Sequence, residues 1–356
     1  MTQTAERINE LRAKGRRAAV ATLVATTGGA IRRLGETMWV DDEGAIVGSV
    51  TIGGCVDGRA VELAEEVLRT GTSRRGSLPL GDEDAWAFGM TCAGNVDLFV
   101  EPVDGSVQTD PVVTASDAVQ DALGRGTPSI EAVSLGDVPH RLVVFADGTM
   151  VGSLGRSALD AAFLTRSSEL IDARTTGVIR VPCDDGTTEL FVQTHAPLPA
   201  LFIVGATDVA AALVQLAKPL GFNTTVIDGR ERWATRERFP TADALHIGMP
   251  SEIIGECALA GSSALVLLSH DFKYDLPVLE VALRTPVGYI GVLGSRRRAS
   301  AIRDFLVGIG ASEETIARVH IPVGLDIGAR APAEIALSVL AELIAVRGNR
   351  RRAGVA

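Results

Sequence analysis

The chain has 356 residues, enough for two domains with full cores, and its 46% apolar and 22% charged residues make an ordinary globular composition. A formal net charge of -10 argues against general nucleic-acid binding, and 4% aromatic content leaves little for stacking single strands. No apolar run is long enough to span a membrane, and the charged start MTQTAERINELRAKGRR is not a secretory signal. Four scattered cysteines (Cys55, Cys92, Cys183, Cys257) form no C-x-x-C pair, which excludes a zinc ribbon or thioredoxin-type motif and suits a reduced, cytoplasmic protein.

A first region, residues 1–103, opens with a helix carrying Ile8 and Leu11 on one face. A strand follows at Ala18 to Ala25. Thr37 to Val40 and Ala45 to Val50, joined by Asp41-Asp42-Glu43-Gly44, read as a hairpin. The loop Thr51-Ile52-Gly53-Gly54-Cys55 leads into a helix, Asp57 to Arg69, with Val61, Ala64, Val67 and Leu68 on one face. The turn Thr91-Cys92-Ala93-Gly94 precedes an alternating strand, Val96 to Val100. A connector, residues 104–199, holds a helix near Ala115 to Gly124 and strands at Arg141 to Phe145, Gly177 to Val181 and Glu189 to Gln193. Ala196-Pro197-Leu198-Pro199 reads as a boundary linker.

The third region, residues 200–347, predicts a doubly wound parallel sheet. Its strands are Leu201 to Val204, Thr224 to Ile227, Ala244 to Ile247, Ala264 to Leu268 and Val287 to Val292. A last helix starts at Pro332, with Ile335, Val339, Leu340, Leu343 and Ile344 as its apolar face; the basic tail from Gly348, residues 348–356, is expected to be disordered. The first turn of this region is a damaged dinucleotide fingerprint. Gly205 opens it and Ala210 fills its third position, but Thr207 replaces the glycine that lets a pyrophosphate touch the backbone, and Asp208 adds a negative charge. Asp208 has an alternative use as a helix cap. Asp228 lies where an acid binds ribose hydroxyls, favouring NAD over NADP, while Arg230 leaves room for a 2′-phosphate.

Other segments bear chemistry. Cys55 sits before a helix start, which lowers a thiol pKa, and Gly53 and Gly54 expose backbone N–H groups; a small buried cysteine in a tight turn is the alternative. Cys92 is a second thiol on a glycine turn. No histidine lies in this region, so a ligand or sulfur-handling role is favoured over a structural metal, against two independent core cysteines. His270 and Asp271 follow a buried strand, at the sheet edge where ligands bind; His270 suits proton transfer, although neighbours in sequence often point apart. Gly294, Ser295, Arg296 and Arg297 form a glycine turn at a helix start that suits a phosphate, against a solvated basic first turn. Asp326, in a glycine-punctuated loop, either contacts a ligand or caps backbone N–H groups.

Five segments in one order carry a resemblance: Gly48 to Val50 with Gly53 to Gly58, Cys92 through Pro102, Ser269-His270-Asp271, Gly291 through Arg297, and Pro322 through Glu342. Together they resemble the XdhC/CoxI family of molybdenum-hydroxylase maturation factors. The family's turn usually reads G-A-G-H-V-G/A, so Thr207 and Asp208 are departures, and Thr51-Ile52 lengthens the loop before Cys55. The resemblance implies an N-terminal α+β cysteine-bearing domain plus a C-terminal Rossmann-like domain. It implies binding of molybdenum cofactor (molybdopterin or its dinucleotide form) and help with its sulfuration and insertion. The client would be a xanthine-dehydrogenase-type or CO-dehydrogenase-type molybdenum hydroxylase. A cysteine desulfurase and a second copy of the chain are further expected partners. The chain would be an accessory protein that carries a dehydrogenase name by association; the competing readings are an NAD(P)-linked oxidoreductase using His270 as acid/base and a nucleotide-sensing module.

Overall fold

The computed structural model describes residues 3–28, 33–51, 56–80, 94–183 and 186–352. The chain divides into two compact units, Met1–Pro197 and Leu198–Ala356, with the division inside the Ala196-Pro197-Leu198-Pro199 run.

In the first unit, α1 (Gln3–Lys14) leads into β1 (Arg17–Gly28), β2 (Thr37–Asp41), β3 (Ile46–Gly48), α2 (Asp57–Thr70), β4 (Arg74–Leu80) and β5 (Gly94–Asp104). The five strands form one antiparallel sheet in the order β3-β2-β1-β5-β4. Alternating side chains of β1, β2 and β5 (Ala19, Ala21, Leu23, Met38, Val40, Leu98, Val100) meet Ala60, Ala64 and Val67 of α2 in a dry core. Helix α2 ends at Gly71, whose φ of 69° is the left-handed conformation a helix C-terminus favours.

A second antiparallel sheet, β8-β7-β6-β10-β9, completes this unit. Its elements are α3 (Pro111–Gly124), β6 (Ser129–Ser134), β7 (Arg141–Phe145), β8 (Met150–Ser153), α4 (Ser157–Asp172), β9 (Thr176–Cys183) and β10 (Gly186–His195). The sequence reading misses β4, β6, β8 and α4. It also starts α3 four residues late, because Asp110 accepts the Val112 and Val113 N–H groups and Pro111 fills the first helical position.

The second unit comprises β11 (Ala200–Val204), α5 (Asp208–Ala217), β12 (Asn223–Asp228), β13 (Ala244–Ile247), α6 (Pro250–Glu256), β14 (Ala264–Leu267), α7 (Phe272–Ala282), β15 (Tyr289–Val292), α8 (Arg296–Gly308), α9 (Glu313–Ile316), β16 (Val319–His320) and α10 (Pro332–Arg352). The sheet is wholly parallel, in the order β13-β12-β11-β14-β15-β16, the arrangement of a dinucleotide-binding Rossmann sheet. Leu201 and Ile203 of β11 enter one core with α5 and α10, while Phe202 and Val204 enter another with α7, so both faces are covered as the apolar runs require. Helix α10 continues through Gly348 to Arg352, where the sequence reading expects a disordered tail. Val339, Leu340 and Leu343 of its expected apolar face are buried, whereas Ile344 is exposed. Among the described residues, no helix is long and apolar enough to cross a membrane.

Candidate functional site

Reversal of strand order between β11 and β14 opens a cleft at the carboxyl ends of the parallel strands. It has a volume of about 220 Å³, and Gly205, Asp228, Arg230, Ser269, Asp271 and Tyr274 are among its walls. Gly205 is required here. Its φ is +103°, and a Cβ would lie 2.8 Å from the Ser269 backbone nitrogen.

The turn after Gly205 is closed by its own protein partners. Asp228 is buried, and its Oδ2 accepts the Ala206 N–H at 2.7 Å and Arg230 Nη2 at 2.8 Å; its Oδ1 accepts the Arg230 N–H and Nε, both at 2.9 Å. Burial pushes this carboxyl up, but the Arg230 side chain and the two backbone donors together hold it below the usual range. Thr207, not Asp208, caps α5: its hydroxyl accepts the Ala210 N–H at 3.2 Å. Asp208 stands exposed in the first helical turn and pairs with Arg238 at 2.8 Å. The Ala206 N–H, the Thr207 hydroxyl and the Asp228 carboxylate, three groups at the places a pyrophosphate and a ribose would approach, are therefore each engaged by a protein partner.

His270 and Asp271 are not a pair. Asp271 caps α7 by accepting the Lys273 N–H at 2.9 Å. His270 is exposed, with φ +58°, and its carbonyl accepts from Arg298 at 2.8 Å. That left-handed conformation is uncommon for a residue with a side chain. Two residues hold it: Asp275, which has no signal in the sequence, and Arg298, which closes the arginine run expected to meet a phosphate. Asp275 is fully buried and accepts from Ser269 Oγ and, at 2.6 Å, from Arg298 Nη2. Burial outweighs both donors and pushes the Asp275 carboxyl up. The Arg298 guanidinium also lies 4.2 Å from the centroid of Phe272.

At the second glycine turn, a Cβ on Gly294 would come within 2.5 Å of the Arg298 side chain, and Ser295 caps α8 by accepting the Arg298 N–H at 3.3 Å. Arg296 and Arg297 face solvent, so the arginine that turns inward is Arg298. Asp326 is exposed. Glu342 supports the same loop, accepting from Tyr289 at 2.6 Å and the Gly324 N–H at 2.9 Å.

Gly53, Gly54, Cys55 and Cys92 lie outside the described residues. Their described flanks are informative. Register pairs Gly94 with both Gly28 and Leu80, and Gly48 with Met38, so β1 and β4 end, β5 begins and β3 ends toward the same end of the first sheet.

The first unit also encloses a cavity of about 110 Å³ between its two sheets. Arg141 of β7 bridges Glu101 of β5 and Glu131 of β6, and His195 Nε2 lies 3.1 Å from Glu131. For Glu131, burial raises the pKa but Arg141 and His195 together hold it down at about 2; for Glu101, burial prevails and its pKa is raised.

The fold and the switch-point cleft define the class: a protein with a Rossmann domain joined to an antiparallel α/β unit. A family model described as the XdhC Rossmann domain matches residues 201–343, and the XdhC and CoxI family model matches residues 11–78. The chain belongs to the XdhC/CoxI family. It is 27% identical to a probable xanthine dehydrogenase subunit of Bacillus subtilis, over 93% of each chain. It is 26% identical to the molybdenum cofactor insertion chaperone PaoD of Escherichia coli, over 94% of this chain and 84% of that one. The crystal structure of a xanthine dehydrogenase from Bacillus halodurans shares the fold, with a TM-score of 0.79, 24% identity and coverage of 98% and 97%.

Proposed function

We propose that the protein is a maturation factor that holds molybdenum cofactor as cargo and assists its sulfuration and insertion into a molybdenum hydroxylase of the xanthine-dehydrogenase or CO-dehydrogenase type. The observation that carries this reading is a Rossmann frame whose pyrophosphate turn is bonded to itself, in a chain that aligns over 94% of its length with a cofactor insertion chaperone. Soft thiolates suit the metal end of such a cargo, which gives Cys55 and Cys92 their role. The cleft walled by Gly205, Asp228 and Ser269 suits its nucleotide or phosphate end, with Arg296 and Arg297 as exposed cations beside Ser295. A cysteine desulfurase would supply the sulfur, and a homodimer is the proposed assembly.

Strand order and the place of Asp228 favour a second reading, an NAD(P)-linked oxidoreductase with His270 as acid/base. Titration of the purified protein with molybdenum cofactor and with NAD(H), repeated on Cys55→Ala, separates the two. Tight cofactor binding that weakens in the variant is expected. Tight NAD binding with steady hydride transfer, and no response to cofactor, would overturn the maturation reading.

A further inference from the structure

Trp233 lies five residues beyond Asp228, and half of its surface is exposed (50%), whereas Trp39 is fully buried. Large aromatic side chains are normally mostly buried, so a half-exposed indole is unusual. Its backbone N–H donates to the Arg230 carbonyl at 3.0 Å, which ties it to a residue of the cleft wall. The guanidinium carbons of Arg230 and Arg238 lie 5.2 and 5.0 Å from its ring centroid. Arg238 is itself fixed: it donates to the Ala206 carbonyl at 2.9 Å, the Trp233 carbonyl at 3.1 Å and Asp208 at 2.8 Å. The stack is thereby joined to both the Gly205 turn and the Asp228 strand end.

The charges of the two stacked arginines are answered by Asp228 and Asp208. What the stack presents is a half-exposed indole with two planar guanidinium groups over its ring, and Arg232, the preceding residue, is exposed as well. Planar heterocycles stack on such surfaces whatever their hydrogen-bonding pattern. The carboxyl end of β12 is where the ribose end of a nucleotide lies in this fold. The Ala206 N–H and the Thr207 hydroxyl are already engaged, so a base held at the β12 end would add affinity that these two groups do not supply.

We propose that the Arg230–Trp233–Arg238 stack binds the heteroaromatic base of a nucleotide, with the ribose hydroxyls exchanging for Arg230 at Asp228. This rests on reading the cleft as the site of a nucleotide-bearing cargo. The test is a titration of the full chain with AMP, GMP and CMP, against ribose 5-phosphate, followed by tryptophan fluorescence and calorimetry. At least one nucleotide should quench saturably and bind at least about ten-fold more tightly than ribose 5-phosphate; Trp233→Ala should weaken it about ten-fold or more, and Trp233→Phe should restore most of that loss. Circular dichroism of both variants checks that the fold is kept. Equal binding of ribose 5-phosphate, a Trp233→Ala affinity within about two-fold of the parent, or no binding of any nucleotide would overturn the proposal. The Cys55→Ala cofactor titration is scored separately. Nucleotide binding that survives when cofactor binding fails would refute the maturation reading and leave the stack standing, and the reverse would refute the stack alone.

Discussion

Arg141→Met tests whether the ion cluster between the two sheets of the first unit holds them together. In the native fold one guanidinium answers two carboxylates, Glu101 at 1% exposure and Glu131 at 14%. Methionine replaces much of the aliphatic stem but leaves both carboxylates in a cavity of about 110 Å³ without their cation. Breaking a buried pair by deleting one partner costs about 3–5 kcal/mol, and two orphaned partners place this variant toward the upper end. Urea denaturation of the full chain, followed at the transition that exposes the buried Trp39, measures it. Adding Glu101→Gln removes one of the two repelling charges and should recover about 1 kcal/mol or more.

The pH dependence is a second arm of the same experiment. Glu131 is held at about 2 in the fold against an ordinary 4.5, so its contribution is complete above 4.5 and is lost as pH falls through about 2. Glu101 acts in the opposite sense: its pKa is raised by burial, so it favours the fold below 4.5, and that contribution disappears as pH rises through its folded value. In Arg141→Met the larger of the two attractions that keep Glu131 ionised is gone, and His195 alone remains. The stability gap between parent and variant should be widest near pH 7 and narrow toward about pH 3, as the orphaned carboxylates protonate. A loss below about 1 kcal/mol near neutrality, or a gap that does not change with pH, would refute this account.

Three further outcomes follow from the Rossmann unit. Thr207→Gly restores the fingerprint residue, yet Asp228 still holds the Ala206 N–H; NAD affinity by calorimetry should stay within about two-fold, and stability should fall by only a few tenths of a kcal/mol, as expected when glycine replaces a capping threonine. Asp275→Ala strips Arg298 of its buried partner and should cost about 3–5 kcal/mol in denaturant unfolding, whereas Asp275→Asn, which still accepts from Ser269, should cost clearly less. Gly205→Ala combines a φ of +103° with a Cβ 2.8 Å from the Ser269 nitrogen and should lose about 2 kcal/mol or more; a thermally silent variant would show that the turn is not closely packed.

The parallel sheet was legible because its buried strands read as unbroken apolar runs, of which Leu201 to Val204 is the type. The two-residue β16 was not, since Val319-His320 has no pattern to read. Helix α4 shows Leu159, Phe163, Leu170 and Ile171 at helical spacing, but Ser167 stands at a buried position between them and breaks the apolar stripe. Strand β6 hides for a related reason: Ser129 is fully buried, and Glu131, at 14% exposure, is held by Arg141 from the next strand and by His195. The site shows the same limit. Gly205 and Asp228 stand at positions a sequence pattern can mark, whereas the pairing of Asp275 with Arg298 spans 23 residues and carries no local signal.

Once position 207 carries a side chain, the rest of the turn can be understood as its consequence. Thr207 cannot let a pyrophosphate touch the backbone, but its hydroxyl satisfies one of the helix's free N–H groups. Asp208 then sits in the first turn, where negative charge is favoured, and recruits Arg238. Arg238 reaches back to the Ala206 carbonyl, and Asp228 takes the Ala206 N–H, so both backbone groups of that residue are bonded within the protein. A frame so satisfied needs no bound dinucleotide to be complete. At the β12 edge, a ligand's hydroxyls would exchange for a protein contact, the Arg230 clamp on Asp228. An exchangeable site suits a protein that takes up a cargo and releases it better than one that must hold a hydride carrier in a fixed geometry.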